Sequence, residues 1–170
     1  MNEIRRVAVL GAGVMGTGIA CHLANAGVES LLYDIVQAPQ PGKDAADRVS
    51  LARRAIQQAT TTRPAPLFRA ADAALITPCN YDDHAELLKT CDWIVEVVVE
   101  RLDIKEKVFD WVATHRRPGA IVSSNTSGIR LADMTAKMPD EMRRRFLVTH
   151  FFNPVRYMRL LELVTGPDTD

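Results

Sequence analysis

The stretch RVAVLGAGVMGTGIA, residues 6–20, decides the fold. It begins as a strand-length apolar run over 6–10, and Gly11, Gly13 and Gly16 follow in the pattern G-x-G-x-x-G. A helix over 14–26 comes next, with Met15, Ile19, Leu23 and Ala26 on one face and Gly27 as its stop. In that setting each glycine has a physical task. Gly11 permits the tight turn, Gly13 lets a pyrophosphate approach the backbone without a Cβ in the way, and Gly16 lets the helix pack close to the strand. Val14 and Met15 open the helix, whose unpaired amides and positive dipole end suit phosphate. A second strand over 30–33 is closed by Asp34, about 20 residues beyond the fingerprint. A carboxylate there accepts hydrogen bonds from the adenine-ribose hydroxyls and repels the extra phosphate of NADP, so NAD is the expected cofactor. A ligand-free glycine turn and a turn-forming Asp34 are the plainer readings. They leave the order of strand, glycines, helix and acid unexplained.

Outward from this unit, strands and helices keep alternating. A loop with proline and glycine at 35–43 precedes a helix over 45–60 with a basic outer face, which Arg63-Pro64-Ala65-Pro66 breaks. Strands are expected at 74–77, 92–98, 120–123, 146–151 and 158–164. Helices are expected at 83–89 and 101–115, with short helical segments at 129–136 and 139–144. The alternation predicts βαβ units and an α/β domain of Rossmann type, doubly wound around a mostly parallel sheet and spanning residues 4–166. The sequence shows no internal repeat and no linker.

Composition narrows the function. The 170 residues carry 21 basic and 21 acidic side chains, a formal net charge of zero, which argues against nucleic-acid or membrane-surface binding. The clusters Arg116-Arg117 and Arg143-Arg144-Arg145 read as solvated faces. No apolar run approaches the ~20 residues of a membrane helix, and the polar 1–6 segment is no secretory signal. Cys21, Cys79 and Cys91 are odd in number and widely spaced, with neither disulfide nor metal spacing; no metal is expected, and a reducing cytoplasm is.

Three further stretches carry a resemblance: Glu96-Val97-Val98-Val99-Glu100, Ser124-Asn125-Thr126-Ser127 and Thr149-His150-Phe151-Phe152-Asn153-Pro154. Together with the fingerprint they are similar, from about Ile4 to Thr165, to the 3-hydroxyacyl-CoA dehydrogenases. HFFNP is the most specific piece. The stretch 64–80, with RPAPL and ITPCN, looks most like the long bacterial members of fatty-acid β-oxidation. The resemblance implies reversible, NAD-linked oxidation of an (S)-3-hydroxyacyl-CoA to a 3-ketoacyl-CoA. It implies His150 as the base for the 3-hydroxyl, with Glu162 as its partner acid. Ser127 would hydrogen-bond the substrate 3-oxygen and the nicotinamide end. Asn153 would lie near the nicotinamide, and Glu100 and Lys105 near its ribose. Histidine suits the base because it titrates near neutrality, and a carboxylate on the far ring nitrogen fixes the tautomer and stabilises the imidazolium.

Read without the family, these residues are blander. His150 among Val148, Phe151 and Phe152 is a buried structural histidine, Glu162 an exposed strand acid, Ser127 a helix cap and Asn153 a turn former. Glu100 and Lys105 are then helix-start and helix-surface charges. His22, His84 and His115 have no partner motif and read as structural or surface. Lys43, Arg48, Arg53 and Arg54 lie where the family binds part of CoA, although a solvated basic face suits them better. The family also implies further chain beyond Asp170, namely a helical domain that completes the acyl-CoA cleft and the subunit contact, so the Rossmann domain here is expected to be truncated at its C-terminal end. Two other functions compete. One is a dehydrogenase of small hydroxyacids, which uses a lysine base and lacks HFFNP. The other is a catalytically silent structural relative, against which the intact His150, Glu162 and Ser127 argue.

Overall fold

The computed structural model describes residues 3–38 and 47–170. Lys43 and the start of the helix expected at 45 lie outside the described residues. Seven strands form one sheet: β1 (Arg6–Leu10), β2 (Glu29–Asp34), β3 (Ile76–Asn80), β4 (Trp93–Glu96), β5 (Ile121–Ser124), β6 (Phe146–Phe151) and β7 (Leu161–Thr165). Their order across the sheet is β3-β2-β1-β4-β5-β6-β7. All neighbouring pairs are parallel except β6–β7, which is antiparallel. This is the doubly wound Rossmann arrangement, with chain reversal between β1 and β4 and one antiparallel strand added at the edge.

The alternation of side chains along β1 divides the core. Val7 and Val9 face α1 (Val14–Asn25) and α2 (Ser50–Ala59), packing with Ile19, Ala20, Leu23 and Ala52. Ala8 and Leu10 face the other layer, where α3 (Leu102–His115) and α4 (Leu131–Thr135) bring Phe109, Val112 and Met134. A single turn of helix, α5 (Asp140–Arg143), leads into β6. Cys21, Cys79 and Cys91 are buried free thiols, and burial raises their pKa values, to about 12 for Cys79.

Several boundaries differ from expectation for local reasons. The strand expected at 92–98 ends at Glu96, because the Val98 amide turns back onto the Glu96 carboxylate at 2.7 Å. The strand expected at 74–77 runs over Ile76–Asn80; the alanine-rich segment before it winds into a 3-10 turn, Ala70–Leu75, pinned by the Arg69–Asp72 pair. Pro78 sits within β3 without harm because β3 is an edge strand. Residues 83–89 do not form an α-helix; a 3-10 segment, Ala85–Thr90, stands there. The last strand starts at Leu161, since the Tyr157 and Met158 amides close a turn onto the Pro154 carbonyl. All five residues of β7 are exposed.

Candidate active site

The glycine loop leaves β1 at its carboxyl end. Gly11 has φ +118°, and a Cβ there would stand 2.7 Å from the Val97 carbonyl oxygen. A Cβ on Gly16 would overlap the Gly11 carbonyl oxygen, which fixes how closely α1 can cross the strand. Gly13 differs: a Cβ there would meet nothing within 4 Å, so its open side is free for a ligand. Gly13 is the N-cap of α1 and no side chain caps it; the first intrahelical bond is Thr17 N–H to Gly13 O, at 2.9 Å. The first-turn amides, those of Val14 and Met15 among them, therefore lack intrahelical acceptors, and the turn holds no acid to repel an anion. These residues fit a dinucleotide pyrophosphate.

Asp34 closes β2 beside this loop. It accepts the Ala12 amide at 2.8 Å and the Ile35 amide at 2.7 Å. The carboxylate thus braces the loop as a turn former does and still has lone pairs for ribose hydroxyls. NAD is expected to bind at least about tenfold more tightly than NADP, through like-charge repulsion at this acid. Calorimetry with both dinucleotides measures this, and Asp34→Asn should narrow the gap; equal affinities in the unmodified protein would refute the assignment.

Past the loop, a cleft of about 340 Å³ is lined by Met15, Val98, Glu100, Lys105, Ser127, His150 and Asn153, among others. The parallel strands β1, β4, β5 and β6 end at this edge of the sheet, and the loops and helices that follow them bring these residues together. β6 and β7 place His150 directly opposite Glu162, and the His150 Nδ1 lies 2.9 Å from Glu162 Oε2. His150 is 21% and Glu162 51% exposed at the side chain, so the pair is reachable, not entombed. The ring also packs on Phe152, with centroids 4.5 Å apart. Asn125 secures the strand end by accepting the Phe151 amide at 2.8 Å.

Ser127 does not cap the following helix; the Thr126 hydroxyl, not that of Ser127, takes the Ile129 amide. The loop around Ser127 is instead wrapped on Glu100, which accepts the Ser127 and Gly128 amides at 3.1 and 3.0 Å and the Thr126 hydroxyl. Burial alone would raise the Glu100 pKa, but these donors and Lys105 outweigh it and push it down to about 2. Lys105 is no helix-surface charge. It is 1% exposed, and its Nζ lies 2.8 and 2.9 Å from the two oxygens of Glu96 and 3.3 Å from Glu100. Glu96, itself fully buried, also receives the Ser124 hydroxyl at 2.5 Å. Glu96 and Asn125 stand within the stretches that carry the resemblance but receive no role from it. The signal for Glu96 was present: an acid at an inward position of the apolar run WIVEVVV requires a buried partner.

The other singled-out residues fall away from the cleft. His84 accepts the Asn80 amide, His115 bonds the Trp111 carbonyl, and His22 packs edge-on to Phe151. Arg48 pairs with Asp82 and Asp83, and Arg53 with Asp47, in keeping with a solvated face. Among the described residues no cluster of acids, histidines or cysteines could hold a metal. No helix of the described residues is long and apolar enough to cross a membrane.

The glycine loop, Asp34 and the cleft beside His150 define a dinucleotide-binding domain. Residues 6–170 match the family "3-hydroxyacyl-CoA dehydrogenase, NAD binding domain", and the chain belongs to that family; its cofactor is NAD. It is 49% identical to a probable 3-hydroxyacyl-CoA dehydrogenase of Bacillus subtilis, over 99% of this chain and 23% of that protein. It is 39% identical to a putative fatty acid oxidation complex trifunctional enzyme of Rickettsia felis, over 96% of this chain and 22% of that protein. The crystal structure of 3-hydroxybutyryl-CoA dehydrogenase from Escherichia coli superposes with a TM-score of 0.79 at 28% identity, covering 99% of this chain and 34% of that one. The chain thus spans less than a quarter of the two curated relatives.

Proposed function

We propose that the whole protein oxidises (S)-3-hydroxyacyl-CoA to 3-ketoacyl-CoA in fatty-acid β-oxidation, in the cytoplasm. One observation carries this reading: His150 and Ser127 line two hollows at once. One is the cleft beside the glycine loop; the other, of about 310 Å³, is lined by Ile129, Leu131, Val148, Glu162 and Val164. A dinucleotide in the first and an acyl thioester in the second would meet at the histidine. The apolar side chains of the second hollow suit an acyl chain.

The residues then divide the work. Bound NAD supplies the hydride acceptor. His150, with Nδ1 tied to Glu162, presents its other ring nitrogen to the 3-hydroxyl and takes the proton; Glu162 stabilises the imidazolium that results. The Ser127 hydroxyl stands beside them to donate to the 3-oxygen. Asn153 and Met15 form the wall nearest the glycine loop. The buried, free thiols are in keeping with a reducing compartment.

The test is a spectrophotometric assay of NADH consumption with acetoacetyl-CoA, on the full-length protein and on a 170-residue protein of this sequence. The full-length protein should turn over the substrate. The 170-residue chain should bind NAD but lag by orders of magnitude, because both hollows are open and positioning supplies several kcal/mol of a barrier. No turnover by the full-length protein with any 3-ketoacyl-CoA would overturn the substrate class; equal turnover by both would show that the residues here suffice.

A further inference from the structure

Glu96 and Lys105 are a fully buried ion pair at the cleft wall, Lys105 in the lining and Glu96 behind it, with Glu100 as the third, half-exposed member. Three donors converge on Glu96 through four hydrogen bonds: the Lys105 ammonium on both oxygens, the Val98 amide and the Ser124 hydroxyl. The Ser124 oxygen in turn accepts the Thr126 amide at 3.3 Å, so its proton is directed to Glu96. A carboxyl group that meets only donors is ionised, since a protonated one would have to donate in turn. Glu100 likewise accepts from every partner it has been given above. The group therefore holds two carboxylates and one ammonium, and carries a net charge of −1.

We propose that this group makes the cleft discriminate between the two redox forms of the dinucleotide, its net negative charge favouring NAD+ over NADH. The inference rests on the reading that the cleft beside His150 takes the nicotinamide end. The nicotinamide ring is the one part of the molecule whose charge differs between the forms, positive in NAD+ and neutral in NADH. Adenosine and pyrophosphate contacts are common to both, so the ratio of the two affinities isolates the field at the ring. The remaining acid of the cleft region, Glu162, is hydrogen-bonded to His150 and is unchanged in the comparisons below. Coulomb's law at about 10 Å and an effective dielectric of about 20 to 40 gives a change of roughly four- to fifteenfold per unit charge.

The experiment measures the dissociation constants of NAD+ and NADH, by calorimetry and NADH fluorescence, on the full-length protein and three variants. Glu100→Gln and Glu96→Gln each bring the group from −1 to neutral. The double variant Glu96→Gln/Lys105→Gln removes the buried pair whole and returns the group to −1. The affinity ratio of NAD+ to NADH should fall about fivefold in both single variants and stay within about twofold of the unmodified protein in the double variant. Glu100, at the cleft surface, keeps the test open if Glu96→Gln alone leaves an unpaired buried ammonium and does not fold. A purely structural role would weaken both forms in parallel, with the ratio constant in every variant, and that result overturns the proposal. So does a double variant whose ratio falls as far as that of Glu96→Gln. If the unmodified protein bound neither form, the cofactor reading itself would fail instead.

Discussion

His150→Ala in the full-length protein is expected to lower turnover by about 10²–10⁴ while leaving NAD binding nearly intact. The ring is the group in the cleft whose second nitrogen is already fixed by a carboxylate, at 2.9 Å, and whose free nitrogen is available to a substrate hydroxyl. An alanine removes the proton acceptor and leaves the glycine loop, Asp34 and the Glu100 loop untouched, so calorimetry with NAD and the thermal midpoint should barely move. Glu162→Gln should reduce turnover less, because the base remains and only its orientation and the charge opposite it are lost. Steady-state kinetics on the two variants and the unmodified protein make the comparison. Near-normal turnover by the alanine variant would place the base elsewhere.

Gly16→Ala and Gly13→Ala should separate the two tasks of the fingerprint. At Gly16 a Cβ runs into the Gly11 carbonyl oxygen, so α1 must lift from β1; overpacking of this kind costs about 1–3 kcal/mol, and the thermal midpoint should drop by roughly 2–12 °C. NAD affinity should fall with it, since the amides of the first helical turn move. At Gly13 the added methyl meets no protein atom within 4 Å, so the fold should be as stable as before. The methyl then occupies the space a pyrophosphate needs, and affinity should fall by about tenfold or more through the loss of close amide contacts. Differential scanning fluorimetry and calorimetry read the two effects independently. A Gly13→Ala protein that melts as before and binds NAD as before would show that the phosphates do not pass over this residue.

Much of this architecture was legible from residue order. The strand over Arg6–Leu10, the glycines and Asp34 at the end of β2 define a local unit, and local units are what periodicity and turn chemistry report. The edges of elements were less legible because single hydrogen bonds decide them, and periodicity does not report those. Nothing near Val97 in the sequence shows that the Glu96 carboxylate captures the Val98 amide and ends β4. The site divides in the same way. His150 and Glu162 came from resemblance, and only the antiparallel register of β6 and β7 puts them face to face. Lys105, near the nicotinamide ribose by resemblance, reads as a helix-surface charge without it; its burial depends on Glu96 in a neighbouring strand. Glu96 stood in a stretch that carries the resemblance but received no role; an acid inside an apolar strand has a meaning only with its partner nine residues on.

The lone antiparallel strand ties proton chemistry to hydrogen-bond register. Glu162 reaches His150 because Glu162 and His150 are direct cross-strand partners on one face of the ribbon. A slip of a single residue would turn Glu162 to the opposite face and bring Leu161 or Leu163 to the histidine, leaving an imidazole with no counter-charge. The outermost strand, exposed along its whole length, thereby acts as the alignment gauge for the proposed base. Fraying of that edge would part Glu162 from His150 while the six parallel strands and the dinucleotide loop stayed folded, so the proposed proton transfer would be lost separately from cofactor binding.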